Sequence, residues 1–386
     1  MVVSLIKKVH DNPLKGPKPS KISADQAELY AIFVVKKQTM TPKFHSLVVR
    51  DVRKETNDTV SIAFEIPSEL KSDYQFISGQ YVTIRKIIAG EELRRSYSIC
   101  TTPSDGELRV AVKRVDDGLF SSWATTELKA GEVLEVMTPT GHFQLIPDTS
   151  TAKNYTLFAA GSGITPIISI AKTILTHEPL STVTLVYGNK GFASIIFREE
   201  LAGLKNKYVD RFQLIHVLSR ESLGNPLQKG RIDQEKVELI VKSLLRGEHI
   251  DAVYTCGPEE MIHAVKKAMM NCGVAENRIH FELFGTKTAG SKAKVLVPEE
   301  QNVHAKVTII LDGDRIEVDL NTAGTSVLEA GYQAGVDLPF ACKGGVCCTC
   351  KAKILEGTAI MEVNYTLEQE EIDAGYILTC QAHPTS

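Results

Sequence analysis

Between Pro339 and Cys350 the chain reads Pro-Phe-Ala-Cys-Lys-Gly-Gly-Val-Cys-Cys-Thr-Cys, which sets Cys342, Cys347 and Cys350 at C-x4-C-x2-C spacing. Cys380 stands 30 positions beyond Cys350. Four thiolates so spaced hold two irons and two sulfides in the plant-type 2Fe–2S pattern. A short loop must aim several sulfurs at one small object. Gly344 and Gly345 let the backbone curl and bring amide N–H groups towards those sulfurs. A zinc knuckle or a chance group of core cysteines would draw on the same residues. Zinc sites favour paired C-x2-C units, and Cys347 with Cys350 is the one such pair beside the fourth cysteine. The spacing therefore favours an iron–sulfur cluster, and with it electron transfer. Cys348 is not expected to be a ligand, because adjacent side chains do not readily reach the same iron.

Two further stretches have types and spacing suited to binding a planar, phosphate-bearing cofactor. In Arg94-Arg95-Ser96-Tyr97-Ser98-Ile99-Cys100 a cation, a ring and a hydroxyl alternate along a strand. Arg95, Tyr97 and Ile99 then point one way and Ser98 the other. Gly118-Leu119-Phe120-Ser121 opens a helix, where amides and a hydroxyl can face an anion; a plain helix cap reads the same way. Gly161-Ser162-Gly163-Ile164-Thr165-Pro166 follows a strand and opens another helix. That context gives a dinucleotide phosphate close backbone approach and a positive helix end. Pro166 suits a first helical turn. The stretch is not the G-x-G-x-x-G fingerprint.

Chemistry of this kind needs scaffolding, and the sequence offers three sorts. From Phe44 to Leu145, six short alternating strands bounded by Gly, Pro, Asn or Asp suggest a small antiparallel barrel or sandwich. One helix, near Leu119–Glu127, interrupts them. From Asn154 the apolar period changes. Strands at Thr156–Ala160, Thr182–Tyr187, Phe212–Leu218 and Ala252–Cys256 alternate with four helical stretches, the sign of a parallel α/β sheet. Beyond a Lys-, Gly-, Ser- and Pro-rich stretch, Asp312-Gly313 marks a hairpin. A helix near Ser326–Ala334 then leads into the cysteine loop. The expected division is 1–42, an N-terminal extension with a helix at Ala27–Val35; 43–149, the barrel; 152–285, the α/β domain; 286–302, a linker; and 303–386, the cysteine-bearing domain.

Composition narrows the class. Hydrophobic content of 43% and charged content of 24% are globular values. A net charge of −3 argues against a nucleic-acid binder. The charge is uneven, about −7 from His304 onward and +4 before it; an acidic face near the cluster could steer a basic partner, while on charge alone a merely soluble surface is the plainer reading. Single, scattered Cys100, Cys256 and Cys272 suit a reducing compartment. No run of 18 apolar residues occurs, so no membrane span is expected, and the protein is expected in the cytoplasm.

R-x-Y-S, then G-x-x-S some 20 residues later, then G-S-G-I-T-P and Cys256-Gly257-Pro258, together resemble the ferredoxin–NADP reductase superfamily, here with a C-terminal plant-type ferredoxin domain. The resemblance spans about residues 44–386. It implies an antiparallel β-barrel flavin domain, a parallel α/β nicotinamide domain and an α+β (β-grasp) ferredoxin domain. It also implies FAD, with FMN the less favoured flavin, and a chain of transfer from NAD(P)H to flavin to cluster to an oxygenase. Carried over residue by residue, Arg95 holds flavin phosphate, Tyr97 packs on the isoalloxazine and Ser98 lies near flavin N5. Gly118 and Ser121 meet the pyrophosphate, and Val112 and Lys113 the nucleotide half of FAD. Gly161, Ser162, Gly163, Ile164, Thr165 and Pro166 form the nicotinamide-domain loop, and Cys256, Gly257 and Pro258 lie beside the nicotinamide. Ser98 and Cys256 are thus the catalytic candidates.

Ser219 and Arg220 end the strand where the adenosine ribose is met. A cation there fits a 2′-phosphate, so NADPH is expected over NADH, with Lys190 and Arg231 assisting. In relatives an aromatic at the position of Phe284 approaches the flavin, although a buried core residue is the plainer reading. The domain order matches phthalate dioxygenase-type reductases. Three readings compete: a reductase feeding an epoxidase or hydroxylase; the same machine feeding an acyl desaturase or ring-hydroxylating dioxygenase; and a non-enzymatic Fe–S sensor or carrier.

Overall fold

A computed structural model describes residues 43–245, 249–285 and 303–386. The expected N-terminal helix and the expected linker lie outside them.

Strands β1 (Phe44–Thr56), β2 (Thr59–Glu65), β3 (Tyr81–Ile88), β4 (Glu91–Ser98), β5 (Leu108–Lys113) and β6 (Val133–Met137) form one antiparallel sheet in the order β4-β3-β6-β1-β2-β5. A bridge between Ile99 and Val110 joins the end of β4 to β5 and closes the barrel. Inward residues such as Leu47, Ile62, Val82, Ile84, Val110 and Val136 are fully buried and form its core. The β3–β4 hairpin turns on Ala89-Gly90, both at positive φ, as a two-residue type I′ turn demands. That turn fixes the register in which Tyr81 lies directly opposite Ser98.

Strands β7 (Asn154–Ala160), β8 (Thr182–Asn189), β9 (Phe212–Leu218), β10 (Ala252–Cys256) and β11 (Ile279–Glu282) form an all-parallel sheet in the order β11-β10-β7-β8-β9. Helices on both faces bury it, which explains the near-continuous apolar strands. The order reverses between β7 and β10, and in open α/β sheets the crevice at such a switch point takes the ligand. Glycine is needed there. A Cβ on Gly163, just after β7, would lie 2.1 Å from the Cys256 carbonyl oxygen at the end of β10.

The C-terminal part has a hairpin, β12 (His304–Leu311) and β13 (Asp314–Asn321), turned by Asp312-Gly313 at positive φ as the sequence predicts. Helix Val327–Gln333 is capped by Ser326, whose Oγ accepts from Glu329 N–H at 3.3 Å. Two further ladders pair Lys351–Lys353 with Tyr376–Leu378 and Ala359–Met361 with Ala382–Pro384. These strands of three residues flank the cysteine loop and are too short to carry a sequence period. Leu328, Leu338, Leu378 and Ala382 centre a core of their own.

Candidate functional site

The cysteine loop curls through positive φ at Lys343, Gly345 and Cys348. Cys347, Cys350 and Cys380 are buried and Cys342 is half-buried. The thiols associate as two couples, Cys342 with Cys347 and Cys350 with Cys380. Gly344 N–H points at Cys342 Sγ from 3.3 Å, and Gln381 Nε2 lies 3.6 Å from Cys380 Sγ. The hydrogen bond from Cys347, helped by the amides of Gly344, Val346 and Cys347, lowers the Cys342 thiol against the opposing effect of burial. The bond from Cys350 likewise lowers Cys380, while Cys347 and Cys350 are raised. Among the described residues no group of His, Cys, Asp or Glu closes around a single metal ion. Two thiol couples with backbone donors aimed at sulfur instead fit a group with two irons, each taking two thiolates. Cys348 faces away from them, its Sγ 3.8 Å from Tyr81 Oη of the barrel.

Beside this loop lies a cavity of about 280 Å³, walled by three distant parts of the chain. The barrel gives Tyr81, Arg95, Ser96 and Ser98; the end of the α/β region gives Glu282, Leu283, Phe284 and Gly285; the cysteine loop gives Ala341, Cys342, Val346 and Cys347. Ser98 Oγ donates to Glu282 Oε2 at 2.8 Å. The part of Glu282 that protein leaves uncovered fronts this cavity. Burial pushes its carboxyl up to about 8, against the opposing effect of the Ser98 bond. Arg95 is exposed and donates to the Arg94 carbonyl at 2.8 Å.

A second cavity, of about 690 Å³, opens at the switch point. Gly161 and Ser162 line it from β7, Asn189 and Lys190 from β8, Ser219 and Arg220 from β9, and Gly257 and Pro258 from β10. Lys113 and Arg231 add cations, and Phe284 borders both cavities. At 44% exposure Phe284 is not the core residue that the plainer reading expected. Tyr187 Oη donates to the Gly161 carbonyl at 3.0 Å and steadies the glycine turn.

Other candidates stand elsewhere. Ile164, Thr165 and Pro166 are buried under the loop, with Thr165 Oγ1 donating to Ser162 O at 3.0 Å. Val112 is fully buried in the barrel core. The Tyr97 ring rests on Phe120, 5.6 Å between centroids. Ser121 Oγ accepts from Val115 N–H and donates to the Gly118 carbonyl, tying that turn together. Cys256 is fully buried; desolvation, with Glu282 as a second cause, pushes its thiol well up. Its backbone carbonyl packs against Gly163 of the glycine loop. Sequence reasoning misses Glu282, although a carboxylate two residues before Phe284 is a usable signal. It also misses Tyr81, Arg94 and Asp337, described below.

Residues 46–145 match the oxidoreductase FAD-binding domain family, 157–267 the oxidoreductase NAD-binding domain family and 309–385 the 2Fe-2S iron-sulfur cluster binding domain family. The chain is 45% identical over 341 residues to a component of the 1,2-phenylacetyl-CoA epoxidase of Escherichia coli (strain K12), covering 88% of this chain and 95% of that protein. It is 35% identical over 348 residues to the ferredoxin reductase component of 3-ketosteroid-9-alpha-monooxygenase of Rhodococcus rhodochrous, covering 88% and 94%. The structure resembles phthalate dioxygenase reductase with a TM-score of 0.56 at 23% identity, over 89% of this chain and 96% of that one. It also resembles an intact type IV self-sufficient cytochrome P450 monooxygenase with a TM-score of 0.65 at 21% identity, over 94% of this chain but 43% of that one. Among the described residues, no helix is long and apolar enough to cross a membrane.

Proposed function

Because the chain belongs to the reductase components of oxygenase systems that join FAD-binding, NAD-binding and 2Fe–2S domains, we propose that it carries electrons from NADPH through FAD and a 2Fe–2S cluster to an oxygenase of the phenylacetyl-CoA epoxidase type. One observation carries the reading: Cys342 and Cys347 form a wall of the same cavity that Ser98, Glu282 and Phe284 line. When bound, the flavin would take two electrons as one hydride and give them up singly, and the cluster would carry one at a time at roughly −400 mV.

The protein's part is position and charge. Arg95, Tyr97, Ser98, Gly118, Ser121 and Lys113 are proposed to hold FAD along the barrel, with its ring in the smaller cavity, while Val112 serves the barrel core beneath Lys113. Ser98 Oγ and the Glu282 carboxyl, 2.8 Å apart, would hold a proton there and exchange it with the ring. Gly161 and Ser162, with Gly257 and Pro258, let the nucleotide approach the backbone, while Phe284 stands between the cavities and can shield the ring until nicotinamide arrives. Cys256 supports that loop from beneath. Ser219, Arg220, Lys190 and Arg231 cluster at the far end, which favours the 2′-phosphate of NADPH. Cys342, Cys347, Cys350 and Cys380 hold the cluster.

The phenylacetyl-CoA assignment, and with it a place in phenylacetate catabolism, rests on the likeness to the E. coli protein. The acceptor is proposed to dock near the acidic C-terminal domain, in the cytoplasm. Anaerobic titration of the purified protein with NADPH, followed by absorbance, tests the relay. Flavin bleaching followed by loss of the cluster bands supports it, and absence of either chromophore refutes it. Co-purification with an epoxidase rather than a ring-hydroxylating dioxygenase or desaturase tests the partner.

A further inference from the structure

Two buried barrel residues reach from the barrel into the cysteine loop. Tyr81, 4% exposed, donates its hydroxyl to the Cys347 carbonyl and lies 2.9 Å from Thr349 Oγ1. Gly141 packs against its ring, where a Cβ would come within 3.1 Å. Arg94 is buried, and its Nη2 bonds Asp337 at 2.5 Å while its Nη1 reaches the Leu338 carbonyl at 3.3 Å. The guanidinium also sits 4.3 Å above the Phe340 ring. Arg85 adds a bond to Asp337 at 3.2 Å. Asp337, Leu338 and Phe340 immediately precede Cys342, so the two contacts grip the loop at its entry and at its middle. A buried guanidinium is tolerated only with partners. Among the described residues, Glu92 is the one barrel carboxylate bonded to Arg94. Besides the Phe44 ring of the barrel, 5.2 Å from the guanidinium, its other side-chain partners come from the C-terminal part.

We propose that Tyr81 and Arg94 are positioning residues for the step from flavin to cluster. Tyr81 holds the loop at the Cys347 carbonyl against the flavin cavity, and Arg94 anchors the segment that feeds into it through Asp337. The inference deepens the reading given above and rests on it. The step moves one electron, with no bond made or broken in the protein. Tunnelling rates fall exponentially with distance, so a loop held loosely slows this step and not the hydride step that precedes it.

The test uses full-length holoprotein and the variants Tyr81→Phe, Arg94→Lys and Asp337→Asn. Asp337 is the exposed partner, so its variant folds even if a change at buried Arg94 does not. In anaerobic stopped flow with NADPH, the ratio of cluster-reduction rate to flavin-reduction rate is expected to fall severalfold in Tyr81→Phe and Asp337→Asn, because the loop is then held less closely against the flavin cavity. Arg94→Lys keeps the charge but loses the fork, so it should fall between wild type and Asp337→Asn. Independently of turnover, amide exchange at Cys347 to Lys351 should quicken in the same two variants, and the cluster's paramagnetic resonance lines should broaden. A rate ratio and exchange pattern unchanged in both overturns the proposal. A wild-type protein that lacks either chromophore overturns the underlying reading, and the proposal with it.

Discussion

Replacing Glu282 by Gln removes a titrating group and keeps its shape. The carboxyl is displaced from 4.5 to about 8, chiefly by burial, which corresponds to about 5 kcal/mol against ionisation. Solvent in the adjoining cavity screens part of this, leaving on the order of 2–5 kcal/mol. The folded protein therefore holds a proton that the unfolded chain releases above 4.5. Its contribution to stability is complete below the unfolded value and is lost as pH rises through about 8. The free energy of unfolding of wild type relative to Glu282→Gln should accordingly fall by that amount between about pH 5 and about pH 9. An infrared carboxyl band, absent from the variant, should disappear over the upper part of the range. The pH profile of flavin reduction should lose its inflection near 8 in the variant, because Ser98 then has no titrating partner. A wild-type–variant difference that is flat with pH, or no protonated carboxyl at neutral pH, would refute the reasoning.

Replacing Cys342, Cys347, Cys350 or Cys380 by Ser should abolish the visible cluster bands and leave flavin reduction in place. Cys348→Ser should retain both, and loss of the bands there would overturn the assignment. Arg220→Ala should raise KM for NADPH about 10- to 100-fold, the value of one charge-assisted hydrogen bond, while KM for NADH stays nearly constant; a wild type with higher kcat/KM for NADH contradicts the 2′-phosphate reading. Gly163→Ala forces a Cβ to within 2.1 Å of the Cys256 carbonyl oxygen. It should lower stability by about 1–3 kcal/mol and weaken nucleotide binding, as thermal unfolding and KM would report.

What is legible in the sequence is local. Cysteine spacing, the Asp312-Gly313 turn and the alternation of strand and helix each need only neighbours along the chain. Phe212–Leu218 and Ala252–Cys256 lie where periodicity puts them, whereas Ile279–Glu282 escapes it because four residues at a sheet edge show no period. The same holds for the three-residue strands around the cysteine loop. Periodicity gives Gln234–Leu245 as one helix, but its last turn is a π-turn from Val241 to Leu245. Side-chain direction is harder still. Arg94 and Arg95 are adjacent and identical in type, yet one is buried against Asp337 and the other is exposed. Strand alternation turns them to opposite faces and Glu92 bonds Arg94, but the partner that buries Arg94, 243 positions away, is not legible locally. Phe284 reads as a core residue for the same reason: the cavities it borders are made by segments that the sequence does not place side by side.

The register of the β3–β4 hairpin explains why entry and exit of electrons can share one small cavity. Tyr81 and Ser98 are cross-strand partners, so their Cβ atoms stand about 5 Å apart on one face. From that rung Ser98 reaches Glu282 of the α/β region, and Tyr81 reaches Cys347 and Thr349 of the cysteine loop. Two separate domains are thus referenced to one pair of residues in a rigid hairpin. Because β3 is also paired to β6 and bridged at Thr140, a one-residue slip in the Ala89-Gly90 turn would send Ser98 to the opposite face while Tyr81 stays, parting the proton-bearing contact from the loop contact. The type I′ turn is therefore as much part of the relay as the cysteines are, since it sets the distance between the two halves of the reaction.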